Sequence, residues 1–304
     1  MHTSPIPSAL VIGEALIDRL PSGEVVAGAP LNVARHLQML GVPALMVSRV
    51  GEDANGRRVA ATLQAAGLSL DGLQRDAQQP TGVVDVELDA AGQARYTIRS
   101  PAAWDHIETE PLQALLRRQA PRLVVFGTLA QRHADSRAAH AALLAEAGAQ
   151  GALRFCDLNL RTSVPDIEQR VRDCVAQAEG LKLNDEELPH VLGWLGQSDV
   201  PALMRSQPQL QCLLLTQGAK GFEAYDGEGR LRVQAPCAPV AQLADTVGAG
   251  DAFFGFTLAA LMHGRELWAA LPDANRFAAA MCGEHGAAPA DPERFYPPWR
   301  ALLS

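Results

Sequence analysis

The sequence predicts a three-layer α/β fold, with a mostly parallel central sheet, helices on both faces and a small β-sheet lid. Three observations carry that expectation. From Arg122 onward, the short apolar runs RLVVF, ALRFCDLNLR, GLKLN and QCLLLT are separated by helix-length segments, the alternation of a parallel sheet with right-handed crossovers. The run Ala9 to Gly13 (ALVIG) has no polar break, as a strand covered on both faces has none. Residues 81–99 (TGVVDVELDAAGQARYTIR) instead alternate apolar and polar around an Ala-Gly turn, which is the pattern of an antiparallel hairpin with one wet face.

Length and composition set the frame. The 304 residues suit one domain over 1–304, with lid segments at about 14–27 and 81–99 inserted into it. Hydrophobic content of 48% and charge of 20% predict a chain folded throughout. A net charge of −8 with no run of Lys or Arg argues against a nucleic-acid partner, since phosphate backbones demand a basic surface. No basic start precedes the first apolar run, Glu14 and Asp18 interrupt it, and no segment approaches the roughly 20 apolar residues of a membrane span. A cytoplasmic protein is expected. The five cysteines show no CxxC and no zinc spacing, and are expected to be reduced thiols.

Taken in order, β sequence appears first at Ala9–Gly13 and continues through EALID, which puts Asp18 near the end of that strand. Ligands of open α/β sheets bind beyond strand carboxyl ends, so Asp18 is a candidate acceptor for a polyol; a solvated strand-end Asp explains it equally well. After a turn at Pro21 to Gly23, Gly28-Ala29-Pro30-Leu31-Asn32 opens a helix running to Gly41, with Asn32 in its first turn. A strand over Ala44 to Val50, a helix to Gly67 and the 81–99 hairpin follow, the hairpin closing at Arg99, which points into the cleft or, by default for arginine, into solvent. The later strands each end in polar residues: Asp157, Asn159 and Arg161; Asn184 and Glu187; Thr216 and Gly218. Three such endings in register line one edge of one sheet, where a cleft is expected. Residues Gly221 to Gln234 read as an edge meander, and a helix is expected over Asp273 to Ala288.

The most informative stretch is Leu243 to Gly264 (LADTVGAGDAFFGFTLAALMHG). Its second half is an apolar helix stopped at Gly264, and its first half is a glycine turn. Gly248 and Gly250 allow backbone N–H groups to converge at a helix N-terminus, which attracts an anion, and Asp251 stands beside that point as an ionised acceptor. Such a pairing suits phosphoryl transfer. A plain tight turn with a first-turn Asp as a cap fits the same spacing, so the residues alone leave both readings open.

DTVGAGD followed by an apolar helix resembles the C-terminal motif of the ribokinase-like (PfkB) sugar kinases. Further motifs fall in that family's order: GEALID and GAPLNVA near the N-terminus, GEDANG, then CDLNLR, KLNDEE and TQGAKG, so the resemblance spans nearly the whole chain. The resemblance implies that Asp251 is the catalytic base and that the backbone of Gly248, Ala249 and Gly250 forms the anion hole. It implies sugar contacts from Asp18, Gly28, Asn32, Arg99, Asn159 and Arg161. Nucleotide contacts would come from Asn184, Thr216, Gly218, Gly221, Cys282 and Gly286, the side on which the only two lysines, Lys182 and Lys220, also fall. Glu187 would organise Mg2+ through water, and Asp245 with its neighbouring loop would hold a monovalent cation. ATP, Mg2+ and K+ are thus the implied cofactors, and a homodimer through the lid the implied partner.

GEALID, GAPLNVA, CDLNLR, PAAWDHI and FGTLAQR look most like the fructokinase-type branch, although Ala27 stands where that branch usually has a glycine. ATP-dependent phosphorylation of a ketohexose such as fructose is therefore the expected activity. Arg161 and Arg99 keep a sugar acid such as 2-keto-3-deoxygluconate as the alternative, because a bidentate Arg to carboxylate contact is strong and specific. A catalytically silent sugar or nucleotide sensor is a third reading. A dinucleotide-dependent oxidoreductase fits poorly, since the glycine spacing is not GxGxxG, and no GxxxxGK[ST] loop occurs.

Overall fold

The computed structural model describes residues 8–21, 23–88, 94–116 and 120–303. Its strands in chain order are β1 (Ala9–Ile12), β2 (Leu16–Leu20), β3 (Gly23–Ala27), β4 (Ala44–Gly51), β5 (Leu73–Asp76), β6 (Gly82–Leu88), β7 (Ala94–Ile98), β8 (Leu123–Gly127), β9 (Leu153–Asp157), β10 (Gly180–Asn184), β11 (Cys212–Thr216), β12 (Phe222–Asp226) and β13 (Leu231–Ala235). Nine of them form one sheet in the order β13-β12-β11-β10-β9-β8-β1-β4-β5, parallel throughout except that β12 runs antiparallel to both β11 and β13.

Alternate residues of each central strand feed two cores. Ala9 and Val11 of β1, with Leu123 and Val125 of β8, pack on one face; Leu10, Ile12, Val124 and Phe126 pack on the other. The first face is covered by α1 (Ala29–Met39), α2 (Ala54–Ala65) and the late helices, the second by α3 (Thr109–Leu116), α4 (Ala134–Ala149), α5 (Ile167–Gln177), α6 (Leu188–Leu195) and α7 (Val200–Ser206). That is why the central strands read as unbroken apolar runs.

The last two long helices are α8 (Ala249–Met262) and α9 (Leu267–Met281). Residues Ala252 to Ala260 of α8 are all buried, and each buried Phe among them contributes about 1.5–3 kcal/mol. Its single interior hydroxyl, Thr257, donates to the Phe253 carbonyl at 2.8 Å and so remains satisfied. The expected start of α9 at Asp273 needs correction. The helix begins at Leu267, where Glu266 accepts from the Ala269 amide at 2.8 Å, and runs through Pro272. Proline removes one backbone bond there, but packing of Leu271, Ala274 and Phe277 into the core outweighs that loss.

The remaining strands make a second sheet in the order β3-β2-β6-β7. Leu16, Val84 and Val86 form a small core on one of its faces, whereas Ile17 and Val83 belong to the main core. The Ala91-Gly92 turn expected between β6 and β7 lies outside the described residues. Asp18 is also corrected here: it sits in the middle of β2, opposite Val25 and Val84, and not at the end of a main-sheet strand.

Candidate active site

Chain order runs from β1 outward to β4 and β5, then returns to the other side of β1 with β8, so the sheet reverses between β1 and β8. A crevice is expected at the carboxyl ends of strands at such a reversal. A small cavity opens there, lined by Glu14 after β1, Thr128 after β8, Asp157 and Asn159 from β9 onward, and Ala29 and Pro30 of α1.

Two helix N-termini meet at this crevice. α1 starts at Gly28, whose φ of 130° and close approach favour glycine, since a Cβ there would lie 2.5 Å from the Glu14 carbonyl oxygen. Its first turn carries Asn32, which is 5% exposed. α8 starts at Gly248, with φ 76° and no side chain capping the helix; a Cβ there would lie 2.4 Å from Ala287 Cβ. The Ala249 amide donates to the Thr246 carbonyl at 3.2 Å, and no side chain takes the other amides of that first turn, which are the donors an anion needs. Gly250 comes close to Lys182: a Cβ on it would be 3.1 Å from Lys182 Nζ.

Asp251 links the two helices. One of its carboxylate oxygens accepts from Asn32 Nδ2 at 2.8 Å, while Asn32 Oδ1 is buried without a partner and free to accept from a ligand hydroxyl. Burial raises the pKa of Asp251 to about 6, the Asp157 charge adding to the rise, while Lys182, the Asn32 hydrogen bond and Arg161 oppose it. A carboxylate so placed is ionised at neutral pH yet basic enough to take a proton from an attacking hydroxyl.

Behind it lies an ion network built from neighbouring parallel strands. Lys182 of β10 is in register with Asp157 of β9, and its ammonium donates to both Asp157 oxygens at 3.0 and 2.9 Å. Burial works against the Lys182 charge, but Asp157, Asp251 and Glu187 outweigh it and hold its pKa above the ordinary value. Glu187, 6% exposed, accepts from the Leu160 amide at 2.6 Å and the Asn184 amide at 2.9 Å. Burial and then Asp157 raise its pKa. Asn184 in turn spends its side-chain oxygen on the amides of Glu186 and Glu187, closing the turn after β10.

Sugar-side residues divide. Asp18 projects from the lid, with its pKa raised to about 6 by burial against the lowering charge of Arg161. Arg161 donates to the Asn159 and Leu160 carbonyls at 3.2 and 2.9 Å, which fixes it near Glu14, Asp18 and Asp251. Asn159 adopts φ 39°, a left-handed conformation that turns the chain into the cavity wall. Arg99, by contrast, is 52% exposed and clasps Asp85 of the lid at 2.6 and 2.9 Å, so its charge is committed there and is not offered to the cleft.

The nucleotide-side residues lie along the far strand ends. Thr216 ends β11 beside Asn184, and Gly218 and Gly221 bracket a short turn that leads into β12. Asp245 accepts from the Val247 amide at 3.0 Å and the Gly286 amide at 3.1 Å, while the Cys282 carbonyl accepts from Ala244 and Asp245. The glycine turn before α8 is thereby tied to the 282–286 loop. Burial pushes the Cys282 thiol up, so it is a protonated, half-buried group.

Glu14 carries no role in the sequence reading, while Asp157 enters it only as a polar strand end and Lys182 only as a residue on the nucleotide side; all three are buried at the site. Glu14 is 4% exposed and its pKa is raised to about 7 by burial, against the lowering effect of its own backbone amide and Arg161. The signals were present in the polar residue closing β1, in the Asp of CDLNLR and in the rarity of lysine. Among the described residues, no helix is long and apolar enough to cross a membrane.

Comparison with known proteins shows which family the chain resembles in sequence and fold. Fructokinase from Klebsiella pneumoniae is 34% identical over 268 residues, covering 84% of this chain and 84% of the relative. The crystal structure of fructokinase with bound ATP from Xylella fastidiosa superposes with a TM-score of 0.80 at 27% identity, covering 93% of this chain and 96% of that one. A Vibrio cholerae fructokinase double mutant holding fructose, ADP and a potassium ion shares the fold, with a TM-score of 0.78 at 23% identity, over 99% of this chain and 98% of that one. Residues 22–294 match the profile of the pfkB family carbohydrate kinases, and the chain belongs to that family.

Proposed function

We propose that the protein phosphorylates fructose with ATP, and that Asp251 is the base of the transfer. The reading rests above all on the Asn32–Asp251 hydrogen bond beside an uncapped glycine-rich helix start: a poised carboxylate next to an anion-binding backbone. The sugar hydroxyl oxygen attacks the γ-phosphorus, its proton passes to Asp251, and the bond from the γ-phosphorus to the bridging oxygen breaks to release ADP. Amides of Gly248, Ala249 and Gly250, with the Lys182 ammonium alongside, hold the charge that develops on the phosphoryl oxygens.

Asn32 Oδ1 and Asp18 bind ring hydroxyls, with Asn159 and Arg161 completing the wall. Asn184, Thr216, Gly218, Gly221, Cys282 and Gly286 frame the nucleotide. Because the Glu187 oxygens already accept backbone amides, that carboxylate meets Mg2+ through water, and Mg2+ when bound neutralises phosphate charge. The Asp245 loop takes K+. These assignments suit a cytoplasmic enzyme with five free cysteines. The lid closes over sugar to exclude water, and its exposed Val25 and Tyr96 give it a homodimer surface.

Fructose as the substrate draws on the relatives named fructokinase and on Arg99 being spent on Asp85, which leaves the cleft one arginine short of a clamp for an acid. A coupled assay of fructose, ribose, adenosine, tagatose and 2-keto-3-deoxygluconate tests it. Fructose is expected to have the highest kcat/KM. A higher value for the acid, abolished by Arg161→Ala, would overturn the choice.

A further inference from the structure

Two segments outside the cleft meet at the root of the lid. The segment after β7 forms a short turn (Ala103–His106), and the loop before α4 carries Arg132 and His133. Arg132 grips the buried Asp105 through two hydrogen bonds of 2.6 and 2.7 Å, lies 4.0 Å over the Trp104 ring, and donates to the Arg99 carbonyl. Ser136 stitches the same segments, donating to the Trp104 carbonyl at 2.7 Å and accepting from the Ile107 amide at 2.8 Å. Arg49 also holds the His106 carbonyl at 2.8 Å.

One residue along from the Arg132–Asp105 pair on each segment, His106 and His133 face each other with ring centroids 4.4 Å apart. Both converge on one oxygen of Asp135: His106 Nδ1 is 2.7 Å and His133 Nδ1 3.5 Å from Asp135 Oδ2. The ligating atoms of all three residues lie within 4.8 Å of one another. All three side chains are open to solvent, with exposures of 25%, 47% and 57%.

We propose that His106, His133 and Asp135 form a Zn2+ site that clamps the root of the lid, separate from the nucleotide and sugar cleft. Two imidazole nitrogens and one carboxylate oxygen are the donor set that a borderline divalent ion favours over Mg2+ or K+. Ligands about 2.0–2.1 Å from a tetrahedral ion stand about 3.4 Å apart, so small side-chain rotations suffice here, and water takes the fourth position. The hydrogen bonds of Ser136, Arg132 and Arg49 fix the backbone segment that carries His106 against the one that carries His133 and Asp135. His133 Nδ1 accepts from the Asp135 amide at 3.4 Å, so its lone pair already points toward Asp135, and one divalent ion between the rings and that carboxylate would engage all three ligand atoms. Bound there, the ion adds a second link beside Arg132–Asp105 between the lid's exit strand and the main sheet.

The test is a Zn2+ titration of the chelator-stripped full chain by calorimetry, in millimolar Mg2+ to occupy the carboxylates of the cleft, repeated with Co2+ and read by visible absorption. One ion per chain is expected, with Co2+ bands of four-coordinate nitrogen and oxygen ligation. Outer-shell partners alone are worth about 10–100-fold in metal affinity, so His106→Ala, His133→Ala and Asp135→Asn should each weaken binding at least about tenfold. Zn2+ should also raise the melting temperature of the parent and not of the double histidine variant. Absence of saturable binding, an unchanged titration in the double variant, or Co2+ charge-transfer bands of thiolate ligation from Cys237 and Cys282 would each overturn the proposal.

Discussion

The side-chain amide of Asn32 donates to Asp251 at 2.8 Å, joining the first turns of two helices whose residues are 219 positions apart. One interaction thus orients the proposed base, lowers its pKa against the effect of burial, and leaves the side-chain oxygen of Asn32 buried without a hydrogen-bond partner. In the proposed mechanism, sugar binding and proton acceptance would be coupled through that amide.

Asn32→Leu is therefore expected to change more than sugar affinity. Loss of a hydrogen bond worth about 1 kcal/mol lets the Asp251 pKa rise by up to about one unit from its position near 6. The acidic limb of the kcat/KM profile should move to higher pH, so the variant loses more at pH 6 than at pH 8. A loss of equal size at every pH would show that Asn32 acts on binding alone.

Lys182 is the counter-charge for buried Asp157, with Asp251 and Glu187 nearby. Removing one partner of a buried pair leaves the other unpaired at a cost of about 3–5 kcal/mol. Lys182→Met should lose stability on that scale in urea denaturation near neutral pH, and Asp157→Asn added to it should recover part of the loss. No recovery in the double variant would mean that Lys182 serves the other carboxylates more than Asp157.

Glu14 gives a pH signature. Its folded pKa of about 7 lies above the ordinary 4.5, so the folded chain holds this proton more tightly than the unfolded chain does. The resulting stability is fully present below about pH 4.5 and is lost as pH rises through 7. The shift corresponds to at most about 3 kcal/mol. Glu14→Gln should flatten that fall and leave the apo protein more stable than the parent at pH 8, as read by melting temperature across pH. An unchanged pH dependence would place the proton elsewhere.

Much of this arrangement is legible in the sequence, because it is written in local signals. Apolar runs mark the strands of a doubly covered sheet, alternation marks β6 and β7, and glycines 248 and 250 mark the start of α8. What stays hidden depends on three-dimensional register. That Lys182 meets Asp157 follows from the alignment of β9 with β10, and that Asn32 meets Asp251 follows from packing of α1 against α8. The strand-end reading of Asp18 runs β1 on through EALID, whereas β1 stops at Ile12 and the break at Gly13 and Glu14 starts β2 in the lid, which the 14–27 segment already anticipates. Glu14 stays hidden because its burial, and not its identity, makes it part of the site.

The central claim is that Asp251 takes the proton while the backbone before it holds the phosphate. Steady-state kinetics of Asp251→Asn with saturating fructose and varied ATP test it most directly. A positioned base typically contributes about 10²–10⁴-fold, so kcat should fall by that factor while ATP affinity, measured separately by titration, stays within about twofold of the parent. Near-full turnover in Asp251→Asn, with ATP bound as before, would contradict the assignment of the base.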